Sequence, residues 1–268
     1  MEPPRFYRPL KRLGQNFLQD PKIATQIVEL AQLSRGDTVL EPGAGHGTLT
    51  ELLQRTAGRI VAVEKDPRLA SLLRARFASN PSVEVIEGDV LKIFLPHFNK
   101  VVGTPPYNIS SRLVLFLISK SFESSYLVLQ REFGQRLLAL KGTADYGRLS
   151  VTAQRNLNIM PLLEIPRGAF YPKPKVDSLL LKFSPKASDV ELDSLVFDEL
   201  LRGIFGQRRR LLRSSLTHYL AKKHGKTKAR EIVGNMALPS TRVYQLSITD
   251  LESLCVQLSK ATGEAVRE

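Results

Sequence analysis

The chain has 268 residues, 43% hydrophobic and 24% charged, which suits a globular protein with one large domain or two modest ones. A formal net charge of +13 favours polyanions as partners, nucleic acid or an anionic membrane surface. The single Cys255 excludes an internal disulfide framework and a cysteine-based zinc site, and the four histidines have no metal-ligand spacing. No apolar run approaches about 18 residues and the basic N-terminus lacks an apolar signal segment, so a cytoplasmic protein without a membrane span is expected.

Residues 1–13 carry Arg5, Arg8, Lys11 and Arg12 against one acid, Glu2, and read as an irregular basic arm. Gly14–Leu18 is a short loop before a helix that Asp20 caps and Pro21 opens. Asp37–Glu41 reads as a strand, followed by the glycine-rich turn Pro42-Gly43-Ala44-Gly45-His46-Gly47 and a helix over Thr48–Arg55. Strand, glycine-rich turn and helix are the setting a nucleotide-binding loop needs, because glycine lets the backbone approach a ligand and the helix start offers free N–H groups. A second strand, Arg59–Glu64, ends on an acid able to accept from both ribose hydroxyls of an adenosine-containing cofactor. After a helix over Pro67–Phe77, a third strand at Val83–Ile86 leads to Asp89, an acceptor for an adenine amine.

The fourth strand, Lys100–Gly103, runs into Thr104-Pro105-Pro106-Tyr107. Neither proline donates an N–H, so the chain must turn there with fixed φ and deliver an aromatic ring just beyond. Such a turn at the carboxyl end of a strand is where open α/β sheets place chemistry. Taken alone it reads as a proline-rich surface turn, and an acid at one strand end reads as a helix cap. Ligand groups at the ends of all four strands are hard to attribute to capping.

Further on, Tyr126–Leu129 reads as a strand, Phe133–Leu140 and Ser150–Asn156 as helices, and Ile159–Ile165 with Ser178–Phe183 as a hairpin-like pair flanking Phe170. Only helical periodicity follows, over Leu195–Phe205, Arg208–Leu220, Lys226–Val233 and Ile248–Leu258, so a boundary divides a 1–187 domain from a 188–268 helical domain. Residues 202–230 hold ten Lys and Arg and no acid. A basic helix is usually a solvated face. Here the lack of any balancing acid favours phosphate contact, with Arg208, Arg209, Arg210 and Arg213 as candidates.

The ordered set Leu13-Gly14-Gln15-Asn16-Phe17-Leu18, Val39–Gly47, Val63–Asp66, Gly88-Asp89, Pro106–Ser111 and Phe170–Ser178 resembles the S-adenosylmethionine-dependent rRNA adenine N6,N6-dimethyltransferases of KsgA type. Asp145–Val151 is similar to the archaeal and eukaryotic branch of that family. The resemblance implies a Rossmann-like, mostly parallel α/β methyltransferase sheet with a C-terminal hairpin, followed by a smaller all-helical RNA-binding domain. It implies S-adenosylmethionine as methyl donor, no metal, and a monomer acting on rRNA in the small ribosomal subunit or its precursor, at two adjacent adenosines in a hairpin loop near the 3′ end. It implies cofactor binding by Asn16, Leu18, Gly43, Gly45, Glu64, Asp89 and Thr104, and work on the target adenine by Thr104, Pro105, Tyr107 and Phe170, the two aromatics as its stacking faces. The resemblance departs at Thr104 and Pro105, where the family has Asn and Leu. The competing readings are a large-subunit methylase of resistance type, a DNA adenine methyltransferase, and a weakly catalytic RNA-binding assembly factor.

Overall fold

The computed structural model describes residues 8–187 and 190–263. Contacts divide the chain into two compact units, one of residues 1–134 and 157–185, the other of 135–156 and 186–268. The expected division at 187/188 falls beside the later crossing. Nothing in the periodicity marks 135–156 as part of the helical unit; tertiary packing puts them there, because Ala139, Tyr146 and Val151 are buried in its apolar core.

The first unit opens with β1 (Phe17–Leu18) and α1 (Pro21–Leu30), where Asp20 accepts from the N–H groups of Lys22 and Ile23 and so satisfies two orphan donors. It continues through β2 (Thr38–Pro42), α2 (Thr48–Leu53), β3 (Arg59–Glu64), α3 (Pro67–Arg76), β4 (Val83–Glu87), β5 (Lys100–Gly103), α4 (Ser110–Ile118) and β6 (Ser124–Gln130). Helix α5 (Arg131–Leu138) runs across the division; α6 (Arg148–Asn156) belongs to the second unit. The chain returns to the first unit as β7 (Leu157–Ile165), β8 (Phe170–Tyr171) and β9 (Ser178–Pro185). Helix α4, which the sequence reading does not anticipate, follows the Pro-Pro-Tyr turn directly.

The strands form a seven-stranded sheet in the order β4-β3-β2-β5-β6-β9-β7, parallel from β4 to β6, with β9 antiparallel to both of its neighbours. Central strands are apolar on both faces because helices cover both: Ile60, Val61 and Ala62 of β3 are fully buried. Strand β7 carries the bulge between Pro161 and Leu163 that a proline without an N–H allows on an edge. A separate two-stranded sheet pairs β1 with β8, setting Leu18 opposite Phe170 and Phe17 opposite Tyr171.

The second unit packs α7 (Ser194–Phe205), α8 (Leu212–His224), α9 (Lys226–Gly234) and α10 (Ile248–Thr262) around Leu200, Leu201, Ile204, Leu216 and Leu251, each at most 1% exposed. Helix α8 starts at Leu212, not at Arg208 as the periodicity suggests. The preceding turn is drawn into a short extended pairing instead: the Leu212 and Val243 N–H groups donate to Thr241 and Arg210 carbonyls, and Leu211 bridges Arg242. Among the described residues, no helix is long and apolar enough to cross a membrane.

Candidate active site

Strands β2 and β5 lie side by side in the middle of the sheet, although β3 and β4 come between them in the chain and lie on the far side of β2. This is the switch point at which open α/β sheets leave a crevice beyond their strand ends. The turns leaving β2 and β5 are interlocked there. A Cβ on Gly43 would stand 2.9 Å from Pro106 Cδ, and one on Gly103 would stand 2.9 Å from Pro42 Cδ. Each turn thus sets a proline ring against a glycine of the other. Gly43 also has φ +75°, a conformation costly for any residue with a side chain.

A cleft opens between these turns, lined by every residue expected to hold the cofactor: Asn16, Leu18, Gly43, Gly45, Glu64, Asp89 and Thr104. Glu64 is 7% exposed; its Oε2 accepts from the Gly45 N–H at 2.9 Å and its Oε1 from the Asp66 N–H at 2.8 Å. Burial pushes its pKa up against the pull of those N–H groups. Asp89 Oδ2 receives the Lys65 ammonium at 3.0 Å and its Oδ1 the Leu91 N–H at 3.1 Å. Burial would raise the Asp89 pKa, but Lys65 and the Leu91 N–H outweigh it and hold it low. Two strand-end carboxylates and a turn whose glycines at 43 and 45 leave the backbone open make a donor and acceptor set that fits a nucleoside with an amino-acid tail.

The structure adds residues the sequence reading passes over. Glu41, 2% exposed, lines the same cleft and accepts from the Thr50 hydroxyl at 2.6 Å. Burial first, and the charge of Glu64 second, raise its pKa to about 8. An acid at the end of a strand before a glycine-rich turn was visible in the sequence; its complete burial was not. Phe17 stands over the glycine turn, with its ring centroid 4.1 Å from that of His46 and its edge 3.0 Å from where a Gly45 Cβ would be. Gln15 ties the loop down by donating to Asp66 at 3.1 Å while accepting from the Leu10 N–H at 2.7 Å.

Pro105, Tyr107 and Phe170 lie outside the lining of this cleft, although Thr104 and Pro106 belong to it. The Tyr107 hydroxyl is hydrogen-bonded to Ser178 Oγ at 2.7 Å, which fixes a half-buried ring between the turn and the start of β9. Phe170 is 4% exposed and packs in the main core, where β8 carries it opposite Leu18, itself a lining residue.

The basic candidates of the helical unit divide into two kinds. The Arg208 guanidinium donates at 2.6 Å to each of the Tyr146 and Ala144 carbonyls. That of Arg213 reaches the Val233 carbonyl at 2.8 Å and the Met236 carbonyl at 3.4 Å, closing the end of α9. These two are tied to the unit's own backbone. Arg209 and Arg210 are exposed.

A family model described as ribosomal RNA adenine dimethylase matches residues 8–250. A probable ribosomal RNA small subunit methyltransferase A of Thermococcus sibiricus is 38% identical over 251 residues, 92% of this chain and 91% of that one. One from Methanosarcina acetivorans is 43% identical over 203 residues, 75% of this chain and 76% of that one. Among solved structures, a dimethyladenosine transferase from Plasmodium falciparum aligns with a TM-score of 0.82 at 27% identity, covering 92% of this chain and 98% of that one. The 23S rRNA methyltransferase ErmE aligns at 0.64 and 27% identity, covering 91% of this chain and 99% of that one.

Proposed function

The chain belongs to the ribosomal RNA adenine dimethylase family, and from that premise we propose the reaction and the residues that carry it. It is a small-subunit rRNA adenine N6,N6-dimethyltransferase that uses S-adenosylmethionine as methyl donor. Its target is a pair of adjacent adenosines in a hairpin loop near the rRNA 3′ end, methylated by a monomer in the cytoplasm during small-subunit assembly. The observation that carries this reading is the meeting of the glycine turn and the Thr104-Pro105-Pro106-Tyr107 turn at one switch-point cleft, with every expected cofactor residue on its walls.

The bound cofactor supplies an electrophilic methyl group on a sulfonium whose departure leaves a neutral thioether. The Glu64 carboxylate would take the ribose hydroxyls, Asp89 would accept from the adenine amine, and the backbone of Gly43 and Gly45 would hold the methionine portion. Asn16 and Leu18 would close over it, and Phe17 braces the glycine turn. On the substrate side, the Thr104 hydroxyl and the Pro105 carbonyl accept from the target N6–H groups and turn the nitrogen lone pair toward the methyl. Pro105 and Pro106 keep those acceptors fixed, so alignment is built before the base arrives. A base undergoing chemistry must leave its stack, and Tyr107 and Phe170 replace that stacking. Tyr107 is held ready by Ser178, and Phe170, paired across β8 with the cleft residue Leu18, supplies the second face.

Incubating the protein with labelled S-adenosylmethionine and undermethylated small subunits, then measuring rRNA adenines by mass spectrometry, tests this. The expected product is N6,N6-dimethyladenosine at two neighbouring positions. Methyl transfer to large subunits instead would replace it with the resistance-type activity, transfer to duplex DNA would make it a DNA methylase, and cofactor binding without turnover would make it an assembly factor.

A further inference from the structure

We infer that Tyr171 is a stacking platform for the unpaired nucleotide next to the target adenosine, with Lys173 and Lys175, further along the same loop, contacting nearby phosphates. This rests on the rRNA adenine methylation proposed above and names a residue for substrate recognition outside that cleft.

Strand β8 is two residues long, and a strand turns successive side chains to opposite faces. Phe170 faces inward at 4% exposure, and Tyr171 faces out at 51%. A half-exposed aromatic is not itself a site, but this one is immobilised. Its backbone is paired with Phe17, the Gln19 N–H donates to the Ala169 carbonyl at 2.8 Å, and prolines at 172 and 174 stiffen the chain beyond it. The loop is also pinned from within: the Arg167 N–H donates to Asp177 Oδ1 at 2.8 Å and the Arg167 guanidinium to the Lys175 carbonyl at 3.2 Å. That spends the loop's only acid on the loop's own geometry. Lys173 and Lys175 are exposed and form no ion pair among the described residues. A rigid ring with exposed cations just beyond it in the same loop is an arrangement that suits single-stranded nucleic acid, because every base offers a π-face and every step a phosphate. Tyr171 directly follows Phe170, so its Cα lies about 3.8 Å along the backbone from that of the residue assigned to the base pocket, while its ring stands on the opposite, outer face of β8. A nucleotide that flanks the flipped adenine and stays outside the pocket is the base this outer face would meet.

The test compares wild type, Tyr171→Phe and Tyr171→Ala for affinity toward an RNA hairpin with two adjacent adenosines in its loop, at fixed salt. The same RNA is made with an abasic residue on the 5′ side or on the 3′ side of the pair. Thermal unfolding and S-adenosylhomocysteine affinity report that each variant is folded with an intact cofactor cleft. The expected result is about 5- to 100-fold weaker binding of intact RNA by Tyr171→Ala, with Tyr171→Phe within about twofold of wild type. On one of the two abasic RNAs the wild-type and Ala proteins should bind alike. Wild-type affinity in the Ala variant would overturn the platform, as would a loss that persists undiminished on both abasic RNAs. If wild type methylates no RNA adenine, the catalytic reading fails by itself; if it does and Tyr171→Ala matches it in affinity, only the platform fails.

Discussion

Glu41 shows how far one residue's chemistry departs from its type. The ordinary carboxyl value is 4.5, and burial beside Glu64 lifts it to about 8. Between those values the folded protein holds a proton that the unfolded chain has released. Its contribution to stability is therefore complete below about pH 4.5 and is lost as pH rises toward 8. Urea unfolding from pH 5 to 8 should show wild-type stability falling with pH more steeply than that of Glu41→Gln, whose side chain still accepts from Thr50. At the Thr104-Pro105-Pro106-Tyr107 turn, Thr104→Asn should keep or raise dimethylation, since an amide oxygen also accepts an N6–H and reaches further. Tyr107→Ala should abolish it. Tyr107→Phe keeps the ring and loses only the Ser178 hydrogen bond, so a cost of about 1 kcal/mol in thermal unfolding with product formation retained is expected. Equal methyl transfer by Tyr107→Ala and wild type would remove Tyr107 from the base site.

Among the elements, the loop of residues 14–18 has the largest role for its size. Gly14 lies where a Cβ would come 3.2 Å from the Asn108 side chain, Phe17 stands on Gly45, and Leu18 pairs with the strand of Phe170. One short segment thereby touches the glycine turn after β2, the residues just beyond the Pro-Pro-Tyr turn, and strand β8. The glycine and proline-rich turns depend on each other just as directly. Gly43→Ala imposes both a left-handed backbone and a collision with Pro106, so we expect a loss of about 2–3 kcal/mol and weakened cofactor binding by calorimetry. Gly142→Ala is the matching control: φ is +87° but nothing lies within 4 Å, so only the backbone cost of about 1 kcal/mol should appear.

For the whole molecule, the net charge of +13 matters less than where its cations are free. Arg209→Glu with Arg210→Glu should weaken rRNA binding and flatten the slope of log affinity against log salt by about 2, near one unit per lost phosphate contact. Arg213→Ala should instead lower the melting temperature, since it releases two carbonyls at the end of α9, and should change the salt slope little. Titrating a small-subunit rRNA fragment at several salt concentrations, with melting curves alongside, separates the two effects.

The order of the main strands, the glycine turn, the acid at the end of β3 and the Pro-Pro-Tyr turn were legible in the sequence, because each is set by local chemistry: φ > 0 at glycine, missing N–H groups at proline, β-branched runs in buried strands; α4 and the short strands β1 and β8 were not. The helical stretch beyond 190 was legible for the same reason. Other features depend on distant partners. Residues 135–156 join the helical unit through the burial of Tyr146, and α8 begins at Leu212 because Arg208–Leu211 pair with residues 241–244. Phe170 is buried because β8 finds β1. A linear pattern records what a residue is able to do; which groups satisfy its hydrogen bonds and exclude its water is decided only when segments far apart in the chain meet.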